Sequence, residues 1–200
     1  MFLANYLSLK ANLKIRLIIT LLIIILAFSM VLAGNFSAQA FDARVREAVQ
    51  DSRTNTLDHF MDSATHLGDG IITGSVALSI SESELQKHAV RTQLVAAVST
   101  AILKFLIGRR RPSGEEPDPF DFKPFELDSS YHSMPSGHTS SAFALAASLA
   151  ENTDDYKLLT YSLAALVGFT RIYRDNHWVS DVIAGAGIGY LSARFVSYKW

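Results

Sequence analysis

The sequence has no cysteine among its 200 residues. This absence excludes disulfides, thiolate zinc sites and a cysteine nucleophile. The chain also has little excess charge, because 18 basic and 19 acidic side chains nearly cancel. The strongly basic balance of a nucleic-acid-binding protein is therefore missing, so we expect no nucleic-acid partner, and any site for an anion must be local.

The first 40 residues have the pattern of an export signal or a membrane anchor. Three basic residues precede an uncharged apolar run at 17–34, and the Ala-Gln-Ala sequence at 38–40 matches a signal-peptidase site. A cleaved signal and a retained anchor both fit, and a buried helix of a cytoplasmic protein is the plainer alternative. We expect residues 1–40 to be the signal or anchor and residues 41–200 to form one domain on the extracytoplasmic, periplasmic side of the cell envelope.

The rest of the chain predicts an all-α fold, a helical bundle. Residues 41–70 have apolar residues at roughly helical spacing, which predicts amphipathic helices. Five apolar segments rich in Ala and Leu follow, with few strand-like alternations, at 71–80, 94–107, 141–150, 158–172 and 182–196.

Whether this bundle crosses a membrane is left open by the segment lengths. Each apolar segment has about 10 to 16 residues, whereas about 20 are needed to span a bilayer. The turns expected at 81–91 and 151–157 are neutral or acidic, although a positive-inside topology would place Lys and Arg there. These features favour an exported helical domain, tethered or free, over a polytopic membrane protein.

A long loop is predicted between Pro112 and Pro135. It contains three further prolines, and six acidic residues lie between Glu115 and Asp128. The loop is either a solvated excursion or a rim over a site. The acidic residues lack the regular spacing of a calcium-binding loop, so we assign no metal and no cofactor.

Nearly all residues suited to chemistry on a phosphate lie in three short stretches. Phosphoryl transfer needs positive charge around three equatorial oxygens, which Arg supplies as a planar fork and Lys as a mobile point charge. Lys104 also lies in an apolar run, where an unpaired ammonium would be costly without an anion. The stretches are Lys104 with Arg111-Pro112, then Pro135-Ser136-Gly137-His138, then Thr170-Arg171 with His177 and Asp181.

The second stretch predicts a helix start. Ser136 is a good N-cap after Pro135, and the free N–H groups of a helix N-terminus attract anions. Gly137 lets the backbone approach such an anion closely. His138 would then lie beside a bound phosphate, although an ordinary capped helix is the plainer interpretation.

The third stretch provides a candidate nucleophile. His177 and Asp181 are four residues apart, so they share a helix face or meet across a helix start. A carboxylate that holds one imidazole nitrogen leaves the other free to attack. The plainer interpretation is a loop histidine beside Trp178. Three glycines that follow, Gly185, Gly187 and Gly189, favour close helix packing over a dinucleotide-binding turn.

Together the three stretches resemble the signature of the type 2 phosphatidic acid phosphatase (PAP2) and vanadium haloperoxidase superfamily, which reads K-x6-R-P, P-S-G-H and S-R-x5-H-x3-D. Every position matches except Thr170, which stands where the pattern has Ser and still offers a hydroxyl. The resemblance covers about residues 60–196.

The resemblance implies a helical bundle of that type and a metal-independent phosphatase. In it His177 attacks phosphorus, Asp181 orients His177, and His138 protonates the leaving oxygen. The phosphate would be held by five residues: Lys104, Arg111, Ser136, Gly137 and Arg171.

The implied substrate is a phosphate monoester or diphosphate of a membrane lipid, such as phosphatidate, a polyprenyl diphosphate or lipid A. Three alternatives remain: an exported acid phosphatase for small phosphoesters, a vanadate-dependent haloperoxidase, and a non-catalytic binder of phosphorylated lipids. The sequence does not fix the headgroup or the oligomeric state.

Several other basic residues have weaker assignments. His132 is close enough in sequence to the second stretch to touch substrate. Arg109, Arg110 and Arg174 would bind a second phosphate or take solvated or helix-end positions. We expect His59, His66 and His88 to be structural or surface residues.

Overall fold

The computed structural model describes residues 37–150 and 156–199. From Phe41 onward the chain belongs to one compact unit. The apolar run at 17–34, predicted to be a signal or anchor, lies outside the described residues.

The described residues contain seven α-helices and no β-strand, which confirms the all-α prediction. Helices α1 and α2 cover the region where amphipathic helices were predicted, and each of the five apolar segments falls on one of α3 to α7. Two short 3₁₀ turns, Thr65–Gly68 and Ser129–Tyr131, complete the set. The helices are α1 (Ser37–Asp51), α2 (Asn55–Ala64), α3 (Gly70–Ser79), α4 (Ser83–Ile107), α5 (Gly137–Ala150), α6 (Lys157–Tyr173) and α7 (Val179–Lys199).

The predicted turn at 81–91 is wrong, because α4 already begins at Ser83. Its first turns are polar and include an i,i+3 ion pair between Lys87 and Glu84, which supports a helix that the apolar pattern alone does not reveal. With 25 residues, α4 is the one helix in the described ranges that is long and apolar enough to cross a membrane.

Helix α5 is the centre of the bundle and packs against α4, α6 and α7. Its buried face consists of Ala, Ser and Thr, so neighbouring backbones approach closely. A Cβ on Gly185 of α7 would lie 2.5 Å from the Ser136 carbonyl oxygen, and one on Gly189 would lie 2.3 Å from that of Ser140. Close packing is therefore confirmed for these two glycines, whereas Gly187 has no atom within 4 Å of its Cβ position.

The predicted loop after α4 is confirmed, and it folds back over the end of that helix. Gly108 ends α4 in the left-handed conformation, with φ 58°. Backbone hydrogen bonds then tie the loop to itself: the Lys123 amide donates to the Gly108 carbonyl at 2.7 Å, and the Ser133 amide donates to the Arg109 carbonyl at 2.9 Å. This return brings the start of α5 beside the end of α4.

Candidate active site

Lys104 lies in the last turn of α4 and reaches the loop that precedes α5. Its Nζ donates to the carbonyl oxygens of His132 and Ser133. A Cβ on Gly137 would lie 3.8 Å from the Lys104 Cε atom, so the lysine stem passes beside the first residue of α5. The first two sequence stretches therefore meet.

Arg111 and Arg171 lie close enough to Lys104 for their charges to act on it. The Arg111 guanidinium donates to the carbonyl oxygens of Ser129 at 3.1 Å and Asn176 at 3.4 Å. Arg171, at the end of α6, donates from Nη1 to the Thr65 hydroxyl at 2.7 Å. The Arg171 carbonyl accepts the backbone N–H of His177 at 3.2 Å, so the third stretch folds around this arginine.

These three cations bond only to neutral oxygens. Within residues 37–150 and 156–199, neither Lys104, Arg111 nor Arg171 forms an ion pair, and the buried Arg171 Nε has no hydrogen-bond partner. Gathering three partly desolvated positive charges is unfavourable unless an anion binds among them. The arrangement is therefore suited to a phosphate.

Ser136 is fully buried at the start of α5. Its backbone N–H donates to the Asp181 carbonyl at 2.9 Å, and its hydroxyl oxygen accepts from Thr139 at 2.9 Å. The Ser136 amide is thus already hydrogen-bonded. The hydroxyl hydrogen is therefore the donor that Ser136 can offer to a phosphate. Gly137 and His138 form the first turn of α5 as predicted.

His177 and Asp181 meet across the start of α7, with Nδ1 and Oδ2 3.7 Å apart. That distance is too long for a direct hydrogen bond. Ser133 lies at the gap: its hydroxyl is 2.5 Å from Asp181 Oδ2 and 3.5 Å from His177 Nδ1. The same Oδ2 accepts the Trp178 backbone N–H at 2.9 Å and so caps α7.

Arg109 is a site residue whose role sequence reasoning missed. It is buried, and its Nη1 donates to Asp181 Oδ1 at 2.8 Å. Its guanidinium also lies over the rings of Phe122 and Trp178, with centroid distances of 5.6 and 5.5 Å. The expectation that Arg109 binds a second phosphate or is solvated is therefore wrong, because the side chain is locked in an internal ion pair.

The other two arginines expected to bind a second phosphate also form ion pairs within the protein. Arg110 pairs with Asp121 at 3.2 Å, and Arg174 pairs with Asp62 at 2.8 Å at the end of α6. The His132 ring bonds the Glu126 carbonyl at 2.9 Å.

Thr170, the one departure from the motif, donates its hydroxyl to the Val167 carbonyl at 2.7 Å. This bond stays within α6, so the Thr170 hydroxyl is engaged by its own helix.

The protonation states of the two histidines follow from burial and charge. Burial lowers the pKa of His177, and Lys104 and Arg111 lower it further, while Asp181 opposes them. His177 is therefore a neutral imidazole at neutral pH. Burial, followed by the charge of Arg171, lowers the pKa of His138 to about 4. An arriving phosphate would reverse the second effect, because its negative charge favours the imidazolium.

The fold and this site define an all-helical protein in which a buried, neutral histidine lies beside a carboxylate and near three cations that have no acidic partner. The chain belongs to the PAP2 superfamily, whose family model matches residues 89–200 and so includes all three stretches.

Curated relatives are similar to part of the chain. A lipid A 1-phosphatase of Porphyromonas gingivalis is 34% identical over 92 residues, which is 44% of this chain and 18% of that protein. Those of Rhizobium johnstonii and Rhizobium etli are 34% identical over 99 residues and 31% identical over 116 residues. The Rhizobium matches cover 49% and 58% of this chain and 41% and 50% of the relatives. The chain thus spans half or less of these relatives' length.

Two crystal structures share the fold. Aquifex aeolicus LpxE is 25% identical with a TM-score of 0.67, and the match covers 78% of this chain and 94% of that one. A transmembrane PAP2 type phosphatidylglycerolphosphate phosphatase from Bacillus subtilis is 25% identical with a TM-score of 0.65, covering 90% and 92%.

Proposed function

We propose that this protein is a metal-independent phosphatase that hydrolyses the phosphate monoester or diphosphate of a membrane lipid through a phosphohistidine. The observation that carries the proposal is the convergence of three cations without acidic partners on the buried, neutral His177. Lys104, Arg111 and Arg171 would hold the phosphate, with the Gly137 backbone and the Ser136 hydroxyl beside them.

The geometry supports the following steps of the proposed reaction. The Nδ1 side of His177 faces Ser133 and Asp181, so the free Nε2 forms the bond to phosphorus. As the phosphorus–oxygen bond breaks, His138 donates its proton to the leaving oxygen. His138 then takes a proton from water, whose oxygen attacks the phosphohistidine and releases phosphate as the phosphorus–nitrogen bond breaks.

An apolar groove on the bundle favours a lipid over a small soluble phosphoester. It has a volume of about 240 Å³, between the 3₁₀ turn that ends at Gly68 and helices α3, α5 and α6. Its two polar lining residues, Thr73 and Thr160, donate their hydroxyls to backbone carbonyls three or four residues earlier in the chain. Ala142 and Val167 on its walls lie one helical turn from His138 and Arg171, so the groove runs along the same two helices that carry these site residues.

The outer surface of the bundle supports a membrane location. Several large apolar side chains on α3, α6 and α7 face outward, among them Ile71 at 80%, Leu158 at 82% and Ile183 at 65% exposure. The similarity to lipid A and phosphatidylglycerolphosphate phosphatases points the same way. We place the site on the extracytoplasmic side, with residues 1–40 as signal or anchor.

The test is phosphate release in EDTA by the purified protein on phosphatidate, an isoprenyl diphosphate, phosphorylated lipid A and a soluble phosphomonoester. We expect the lipid substrates to be preferred. Preference for the soluble ester would replace the lipid proposal with that of an acid phosphatase, and activity that needs added divalent ions would refute the metal-free reaction.

A further inference from the structure

Asp42, on α1, is a buried carboxylate far in sequence from the three motif stretches. Its side chain is 1% exposed. Its Oδ1 accepts the backbone N–H of Ser180 at 2.9 Å, and its Oδ2 accepts the Ser180 hydroxyl and Arg109 Nη2, the latter at 2.9 Å. A carboxylate from α1 thus contacts the first turn of α7, which carries Asp181.

Arg109 joins the two carboxylates. One terminal nitrogen of its guanidinium donates to Asp42 and the other donates to Asp181 at 2.8 Å. Two further bonds, from Nε and Nη2 to the Pro119 carbonyl, hold the plane of the group. A guanidinium is rigid and planar. The hydrogen bond to Asp42 therefore fixes which guanidinium nitrogen donates to Asp181.

The charge of this cluster suits the reaction proposed above. Two carboxylates and one guanidinium leave one net negative charge, buried beside His177. Formation of a phosphohistidine places positive charge on the imidazole ring, which a buried negative cluster stabilises. Without the Asp42 carboxylate the cluster would be neutral, and Arg109 would act on Asp181 alone.

We infer that Asp42 is a positioning residue for the phosphatase reaction, acting through Arg109 on the Asp181–His177 pair. The inference rests on the proposed function but concerns a residue outside the family motifs. Asp42 touches none of the phosphate-holding side chains, so it should affect the chemical step and leave substrate binding unchanged.

The experiment compares Asp42→Asn, Asp42→Glu, Arg109→Gln and the Asp42→Asn/Arg109→Gln double variant with the wild-type full chain, on whichever substrate the wild type hydrolyses best. The control is Arg46→Gln, which removes another ion pair of α1, with Asp175 at 2.6 Å, without touching Arg109. Steady-state rates, rapid-quench formation of phosphohistidine and thermal unfolding are measured, and rates are expressed per folded molecule.

We expect Asp42→Asn to lower kcat and the rate of phosphohistidine formation by roughly tenfold with KM unchanged. Asp42→Glu should recover part of this loss, Arg46→Gln should behave as wild type, and the double variant should lose no more than Arg109→Gln.

Three results would each overturn the inference. They are an unchanged kcat in folded Asp42→Asn, a loss of kcat in Arg46→Gln equal to that in Asp42→Asn, and a loss in the double variant equal to the product of the two single losses. Failure of the proposed function is distinguishable, because the wild type itself would then form no phosphohistidine.

Discussion

Ser133 lies between the carboxylate of Asp181 and the imidazole of His177, and it is fully buried. We expect Ser133→Ala to lower kcat by roughly tenfold to a hundredfold, because a hydrogen bond to a charged group contributes about 1.5–3 kcal/mol. Steady-state kinetics on the best substrate measure this.

The matched control is Ser192→Ala, which removes another buried serine hydroxyl, one that donates to the Ile188 carbonyl within α7. Its kcat should stay at the wild-type level. An equal kcat for Ser133→Ala and wild type would show that the Asp181–His177 contact needs no bridging hydroxyl.

The lowered pKa of His138 gives a pH prediction. His138 must be protonated to act as an acid, so activity falls as the pH rises through its pKa. Bound phosphate raises this pKa, and kcat reports the bound enzyme whereas kcat/KM reports the free enzyme. We expect the basic limb of kcat to lie at higher pH than that of kcat/KM.

The control for this comparison is His138→Ala. In this variant the basic limb due to His138 should disappear, and only the pH dependence due to ionisation of the substrate should remain. Coincident limbs in the two wild-type profiles would contradict the role of His138 as the acid.

Among single residues, the sequence predicts those inside the motifs but not the residues that hydrogen-bond to them. His177 and Asp181 are four residues apart, so their meeting across a helix start could be anticipated. Ser133, Arg109 and Asp42 act through partners more than 40 residues away in the chain. No local pattern in one sequence reveals such pairs.

Among the elements, α7 depends on glycine where it crosses the start of α5. A Gly185→Ala methyl would lie 2.5 Å from the Ser136 carbonyl, and overpacking of this kind costs about 1–3 kcal/mol. We therefore expect a lower Tm and a lower kcat, since the displaced helix carries Asp181 and the displaced turn carries His138. Thermal unfolding and steady-state rates give both values.

Gly187→Ala is the matched control on the same helix, because its Cβ would meet open space. It should keep kcat and raise stability by up to about 1 kcal/mol through helix propensity. Equal behaviour of the two variants would contradict the packing argument.

Helix identity could be predicted from the sequence, whereas some helix ends could not. Apolar segments rich in Ala and Leu, with few strand-like alternations, indicate α3 to α7. The polar first turns of α4 carry exposed charges such as Glu84 and Lys87, so they resemble a turn in composition while forming a helix.

For the whole molecule, the outward apolar side chains predict how the protein fractionates. We expect it to remain in the membrane pellet through high-salt and alkaline carbonate washes and to be released by detergent, because apolar contacts are not screened by salt. Immunoblotting of the fractions checks this. Release by salt or carbonate would favour a free exported domain, because a retained anchor within residues 1–40 would also keep the chain in the pellet.

Covalent trapping tests whether His177 carries the phosphoryl group. Wild type and His177→Ala are mixed in EDTA with a lipid substrate labelled in its phosphate, quenched within a turnover and mapped by mass spectrometry. We expect an acid-labile phosphate on His177 in wild type, with no label and no phosphate release in the variant. Label on another residue, or undiminished phosphate release by His177→Ala, would contradict it.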